Sequence, residues 1–259
     1  MTIEATTALI TGGARGIGYA IARELAGSGV EVTLIDVDGT ALEEAVSNLQ
    51  ASRAPISGIK SDVADPRGIS SAVEQAYEAM GSVDILVNNA GIAGPTAPIP
   101  SVTRHEFNQV IEINLTAPFE FTKAVMPGMI ENEFGRIINI SSSSAKLKVP
   151  NRVAYAASKA GLLGLTRTTA IEGGPYNVNA NAVCPGTVMG PRMDAVIQRE
   201  AEVEGISADV IRENKEDMSP RGEMVRARDV AALVAFLCTS GADRITGQSL
   251  NVSAGKTTH

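Results

Sequence analysis

One junction constrains this chain more than any other: Thr11-Gly12-Gly13-Ala14-Arg15-Gly16-Ile17-Gly18. A short apolar run, Ala8-Leu9-Ile10, enters it. Ile17, Ile21, Ala22 and Leu25 leave it at helical spacing, and Gly29 marks the stop. An apolar run bounded by glycine reads as a buried strand, and the segment behind it as a helix over 16–28. The alternation then repeats. Strands are expected at 30–35, about 56–61, 83–88, 136–140, 178–184 and 248–252. Helices are expected at about 39–50, 66–80, 152–172 and 227–238. The strands are apolar throughout rather than at every second residue, which is the pattern of a parallel sheet covered on both faces. Right-handed crossovers make it doubly wound, an α/β fold with about seven strands and helices on both sides.

No linker, internal repeat or low-complexity tract interrupts residues 1–259, so they read as a single domain. One stretch, 189–226, breaks the rhythm with a run of charge and reads as a helical lid inserted between a strand and the last helix. It follows the C-terminal end of a strand, where α/β folds take their ligands. A chain of 259 residues buries enough surface to need no disulfide or structural metal. Its net charge of −7 and lack of any Lys/Arg run disfavour a nucleic-acid partner, and the absence of Trp disfavours a base-stacking platform. Two histidines, His105 and His259, and two distant cysteines, Cys184 and Cys238, make a metal site unexpected. No apolar run is long enough to span a membrane, and the N-terminus lacks the basic region of a signal peptide. The expected location is the cytoplasm.

In a strand–turn–helix setting the glycines have separate uses. Gly12 permits the turn, Gly16 lets backbone approach a pyrophosphate, and Gly18 lets helix and strand pack closely. The helix start offers free N–H groups and a partial positive charge to phosphate. Gly12, Arg15, Gly16, Ile17 and Gly18 are therefore candidate coenzyme contacts. Asp36 ends the second strand, where a carboxylate accepts from both ribose hydroxyls of an adenosine and repels a 2′-phosphate. Arg15 pulls the other way, as a cation that could hold that phosphate, but Val37 beside Asp36 supplies none. NAD(H) is expected over NADP(H). Asp62-Val63 reads equally as an adenine contact and as a cap for the helix near Pro66. Asn88-Asn89-Ala90-Gly91 ends the fourth strand, with Asn88, Ala90 and Gly91 expected near the coenzyme.

Ile137-Ile138-Asn139-Ile140-Ser141-Ser142 is a strand that ends in serines, and Tyr155 and Lys159 lie one turn apart on the next helix. A free tyrosine titrates near 10, too high for an efficient base near neutrality. An adjacent ammonium favours the phenolate. A serine hydroxyl from the neighbouring strand could hold the substrate oxygen.

Together these segments resemble the short-chain dehydrogenase/reductase family in its single-domain, Rossmann-type form. The likeness runs nearly end to end, through the glycine junction, Asn88-Asn89-Ala90-Gly91, Asn114, Ser142, Tyr155-x-x-x-Lys159 and Pro185-Gly186. It implies Tyr155 as the acid/base and Lys159 as its partner, which also binds the nicotinamide ribose. The family's serine stands thirteen residues before its tyrosine, which selects Ser142 over Ser141, Ser143 and Ser144. Asn114 would break a helix and hold a water in the proton relay; it also reads as a helix-capping amide. Pro185, Gly186 and Val188 would flank the nicotinamide. The implied activity is reversible hydride transfer between NAD(H) and a secondary alcohol or its carbonyl. A 3-oxoacyl-thioester reductase is the alternative, and a non-catalytic nucleotide-binding regulator is an alternative of another class. The tail Val252-Ser253-Ala254-Gly255 departs from the Asp-Gly-Gly common in relatives, which bears on assembly. The small residues Ala154, Ala156, Ala157, Ala160, Gly161 and Gly164 permit close helix approach, and in the family this helix and its predecessor, roughly 103–132, form a subunit interface, so the resemblance implies a homotetramer, with a dimer as the runner-up.

The substrate pocket is expected from Ile92, Ala93 and Gly94, from Ser144, Lys146, Lys148 and Arg152, and from Met189, Arg192 and Met193 of the lid. Four cations, Lys146, Lys148, Arg152 and Arg192, bracket the tyrosine in an acidic chain. The plainer reading is exposed or interface cations. The sharper one is a polar, even anionic, small-molecule substrate such as a sugar, polyol or hydroxy acid.

Overall fold

A computed structural model describes residues 2–258; His259, one of the two histidines weighed above, lies outside them. Seven parallel strands form one sheet: β1 (Thr7–Thr11), β2 (Glu31–Asp36), β3 (Ile56–Lys60), β4 (Ile85–Asn88), β5 (Gly135–Ile140), β6 (Val178–Pro185) and β7 (Ser249–Val252). Their spatial order is β3-β2-β1-β4-β5-β6-β7. The order reverses direction at β1, so β1 and β4 diverge into a crevice at their C-terminal ends, the ligand site of open α/β sheets.

The two faces are covered by different helices. On one side α1 (Gly16–Gly27), α2 (Gly39–Leu49) and α9 (Ala227–Leu237) pack on Ala8, Ile10, Val32, Leu34, Val87 and Ile138. On the other, α3 (Pro66–Met80), α5 (Ala117–Glu131) and α6 (Val153–Gly173) pack on Leu9, Ile35, Leu86 and Ile137. Successive residues of β1 thus serve opposite cores, which is why its sequence is apolar throughout. β3 departs from that pattern. At the sheet edge its Ser57, Gly58 and Lys60 are exposed, and only Ile56 and Ile59 are partly covered.

The segment 103–132 is not one helix. A capping box between Thr103 and Glu106 starts α4 (Arg104–Ile111), and a π turn over Glu112–Thr116 joins it to α5. The charged stretch 189–226 folds into α7 (Pro191–Glu204) and α8 (Ala208–Asp217). Ile197, Ala201, Ile211 and Met224 give it a small apolar core of its own. Its two ends are joined by a parallel bridge between Val188 and Val225, so it closes on the sheet at a stapled base. Among the described residues no helix is long and apolar enough to cross a membrane, and no cluster of His, Cys, Asp and Glu could hold a metal. Both cysteines are free and buried.

Candidate active site

The C-terminal ends of β1, β2, β4, β5 and β6 open into one cavity of about 1280 Å³, roofed by residues of α7 and α8. Its first half is built of backbone. Gly12 (φ +62°) and Gly16 (φ +57°) take the left-handed conformation that favours glycine. A Cβ on Gly12 would stand 2.9 Å from Ala90 Cα, so the loop lies directly against the end of β4, whereas a Cβ on Gly16 would meet nothing within 4 Å. No side chain caps the N-terminus of α1, so its first N–H groups are left to a ligand. Asn89 holds the loop, its amide donating to Thr11 O (3.0 Å) and Gly12 O (2.8 Å). Thr11 Oγ1 accepts from the N–H groups of Asn89 and Ala90 in return. This cradle fits a dinucleotide's phosphates.

Asp36, Asp62 and Val63 line the same half. Asp36 accepts from Ala14 N (3.1 Å) and Asp38 N (3.2 Å), which fixes its carboxylate beside the loop. Arg15 is turned to Asp38, 2.6 Å away, with its side chain 73% exposed. Backbone N–H of Ala41 and then the Arg15 guanidinium hold the Asp38 carboxyl below the usual range. Asp62 accepts from Ala64 N in a turn, and the cap of α3 is Asp65, so the capping alternative for Asp62 is replaced by its neighbour. Pro185, Gly186 and Val188 border the far end. The bridge to Val225 uses the Thr187 carbonyl and the Met189 amide, not Val188's own peptide groups.

Gly18, Asn88, Gly94, Asn114 and Lys146 are the expected site residues that do not line the cavity; Gly94 packs instead on Val110, which a Cβ would meet at 2.5 Å. Gly18 packs under the loop, where a Cβ would lie 2.2 Å from Gly12 O. Asn88 is buried behind it and donates to Asn139 (2.8 Å), which donates to Thr166 (2.9 Å), clamping β4 and β5 to α6. The neighbour Asn89 faces the cavity instead. Asn114 lies in the π turn; its amide accepts from Ile92 N and donates to Ile92 O and to Ser158 Oγ.

Ser142, Tyr155 and Lys159 meet on one wall. The serines at the end of β5 divide their work. Ser141 Oγ donates to Lys159 O (2.8 Å) and so fastens α6, while Ser142 Oγ accepts from Ser144 N and keeps its own proton to give. Lys159 is 3% exposed and donates to Ile140 O (2.8 Å). Burial, then Arg192, pull its ammonium down to about 7, with Cys184 acting against them. Two arginines join it at the tyrosine ring: Arg152 at 5.0 Å, Arg192 at 5.8 Å and Lys159 at 5.9 Å from the centroid. A guanidinium stays charged at any working pH, so the permanent cations beside Tyr155 are the arginines.

The second half of the cavity is lined by long side chains. Lys148, Arg152, Lys159, Arg192, Lys215 and Lys256 line it together with Glu200, Glu204, Ser144 and Met189. Lys146 is not among them: its ammonium donates to Ser249 O and Asn251 Oδ1 and ties the β5 loop to β7. Glu200 binds Lys215 at 2.5 Å and lies 4.0 Å from Arg152. Asn89, Glu200, Lys215 and Lys256 were not singled out from sequence. Asn89 stood inside a recognised motif; the others sit on helix faces or in a tail whose charges read as solvated.

A family model for short chain dehydrogenases matches residues 6–202. The chain belongs to the short-chain dehydrogenase/reductase family, oxidoreductases that act on CH–OH and carbonyl groups with a nicotinamide coenzyme. Its relatives include a putative granaticin polyketide ketoacyl reductase of Streptomyces violaceoruber, 38% identical over 98% of this chain and 94% of that one. A 2-dehydro-3-deoxy-L-rhamnonate dehydrogenase (NAD(+)) of a Sphingomonas strain is 34% identical over 97% and 95%. Among solved structures, NAD+-bound xylitol dehydrogenase superposes with a TM-score of 0.95 at 28% identity, over 98% of this chain and all of that one. Actinorhodin polyketide ketoreductase with NADPH gives 0.94 at 33%, over 100% and 99%.

Proposed function

We propose that the protein interconverts a secondary alcohol and its carbonyl with NAD(H). The observation that carries this reading is that Ser142, Tyr155 and Lys159 line the same cavity as a glycine loop and an uncapped helix start that fit phosphate. When bound, the nicotinamide supplies the hydride acceptor or donor. The protein supplies the rest. Ser142 Oγ donates to the substrate oxygen. Tyr155 takes the hydroxyl proton in oxidation and returns it in reduction, eased by Lys159 and by the fixed charges of Arg152 and Arg192. Asn114 holds the Ile92 peptide and Ser158 in place behind them, in line with a relay role. The lid excludes water.

NAD(H) is favoured over NADP(H) because Asp36 lines the cavity with its carboxylate fixed beside the glycine loop, and Arg15 is engaged by Asp38. A 2′-phosphate would meet one carboxylate and a cation already paired. The mixed, cation-rich second half favours a polar substrate such as a sugar, polyol or hydroxy acid. A second reading, a 3-oxoacyl-thioester reductase, has support from the identity to ketoacyl reductases, including 36% to the Escherichia coli enzyme. We place the enzyme in the cytoplasm as a homotetramer joined through α4, α5 and α6. The test is to mix the protein with NADH or NADPH and a panel of sugars, oxo acids and 3-oxoacyl thioesters, following loss of the reduced coenzyme. Consumption of NADH with a polar ketone is expected; consumption of NADPH alone overturns the coenzyme assignment.

A further inference from the structure

In a chain of net charge −7, six basic side chains against two carboxylates line the cavity beyond its glycine-loop end, with Tyr155 among them. After Lys159, whose ammonium is bound to Ile140 O, Arg152 is the most confined of them, 6% exposed. One of its terminal nitrogens donates to Ala93 O (3.1 Å). The other stands 4.0 Å from Glu200, too far for a hydrogen bond, and Nε is buried with no partner. Glu200 is committed to Lys215 at 2.5 Å. A buried guanidinium with unspent donors costs stability unless something completes it. Arg192 stands on the same tyrosine ring; burial first, then Arg192 and Arg199, weigh against the Arg152 charge, which Glu200 supports. With Glu200 shared with Lys215 and held off at 4.0 Å, an anion in the cavity would complete Arg152. Because both guanidinium carbons lie within 5.8 Å of the Tyr155 ring centre, that anion belongs next to the reacting carbon and not at a remote tail.

We propose that the anion is the substrate's own carboxylate: the enzyme oxidises short 2- or 3-hydroxy acids and reduces the matching oxo acids, with Arg152 holding the carboxylate and Arg192 seconding it. This rests on the oxidoreductase reading above. In the oxidative direction the hydroxy acid gives its carbinol hydride to NAD+ and its hydroxyl proton to Tyr155, and leaves as the oxo acid. The carboxylate is unchanged and serves only as a handle. A planar fork that meets a carboxylate with two parallel donors orients it as well as binding it. A thioester in the same place would leave both arginines unanswered. Glu200 keeps the site selective, since it holds Lys215 and leaves Arg152 as the strong anchor.

The test uses the full chain saturated with NAD+, which cannot turn over an oxo acid, so binding is read without chemistry. 2-Oxobutanoate, 3-oxobutanoate and the methyl ester of each are titrated calorimetrically. One acid is expected to bind about 10–100-fold more tightly than its ester, as for a lost charge-assisted pair. Arg152→Met should remove that advantage, and Arg152→Lys should restore part of it. Arg192→Met, at an exposed position that tolerates change, should reduce it by about 3–10-fold, the share of a single outer charge. Equal binding of acid and ester overturns the proposal. So do absence of binding by either acid, a preference that survives Arg152→Met, and one that Arg192→Met leaves whole. Mixing the acids with NADH is a separate arm: acid binding without loss of reduced coenzyme sinks the oxidoreductase reading and leaves the carboxylate site standing.

Discussion

The two halves of the cavity are built by opposite means. At the coenzyme end, contacts come from backbone and short side chains whose hydrogen bonds close locally. Asn89 holds Gly12, Thr11 receives β4, Asp36 receives Ala14, and Arg15 is answered by Asp38. At the substrate end, long charged side chains arrive from β5's loop, from the start of α6 and from the lid, with donors left over. The first kind of site has no room for an added atom where its loop meets its neighbours, at Gly12 and Gly18. The second tolerates many substitutions and changes its ligand with each. A family can therefore keep one coenzyme frame while its members accept different substrates, as the names of this chain's relatives do.

Tyr155 stands where the halves meet, so its loss is expected to have the largest effect. Tyr155→Phe keeps the ring that Arg152, Arg192 and Lys159 surround and removes only the proton carrier. kcat should fall about 10²–10⁴-fold, the usual worth of a positioned acid or base, with coenzyme affinity within about 3-fold of wild type, which is under 1 kcal/mol. Steady-state kinetics and a coenzyme titration check both parts. Loss of coenzyme binding would mean the two ends are not separable.

Gly18→Ala tests the claim that no extra atom fits beneath the glycine loop. The new methyl would press on a backbone carbonyl, Gly12 O, at 2.2 Å and on Asn89 Nδ2 at 2.6 Å. Neither can move without opening the loop. We expect about 3 kcal/mol of lost stability, at the upper end of overpacking costs, together with weaker coenzyme binding. Urea unfolding followed by circular dichroism measures the first, and calorimetry the second.

These differences explain what could be read from sequence. The strand–helix alternation and the glycine junction follow from local rules of period, turn and cap, and they locate every strand of the sheet to within about two residues, the usual margin for element ends. The serine–tyrosine–lysine wall was legible too, because two neighbouring elements carry it. What escaped depends on contacts between segments far apart in the chain. Lys146 looked like a pocket cation, yet it crosses to β7. Asn88 and Asn89 are indistinguishable by composition, but strand alternation turns one toward the core and the other toward the loop. Glu200 reads as one charge among many on α7 until Lys215 of α8 and Arg152 are folded against it. Edge strand β3 misled in the opposite direction, since a strand covered on one side need not be apolar throughout.

Lys159 belongs to the buried seam between the halves, and its cost is measurable through pH. In the unfolded chain a lysine takes its proton near 10.5; in the fold burial lowers that to about 7. Between these values the unfolded chain binds more protons, so stability rises with pH across the window. Below about 7 both states are protonated and the penalty is full and constant. Wild type should therefore gain about 2 kcal/mol relative to Lys159→Met between pH 7 and 9. Urea midpoints of the two proteins at a series of pH values check this. Parallel curves would mean that the ammonium is not confined as its surroundings imply.

The smallest effect is expected from Asp38, which touches no part of the substrate end. Its carboxylate both caps α2, accepting from Ala41 N at 3.1 Å, and holds Arg15 at 2.6 Å. Asp38→Asn keeps an amide oxygen for the cap, so stability should change by less than about 1 kcal/mol. Arg15 is exposed, and its pair with Asp38 is worth little to the fold. Freed, the guanidinium can turn toward a 2′-phosphate, but Asp36 still opposes that phosphate. The ratio of kcat/KM for NADPH to that for NADH should therefore rise by only about 3–10-fold, the worth of one exposed charge pair. A change of about 10³-fold would mean that Arg15, not Asp36, sets the coenzyme choice, and that one long side chain governs the coenzyme end as it does the substrate end.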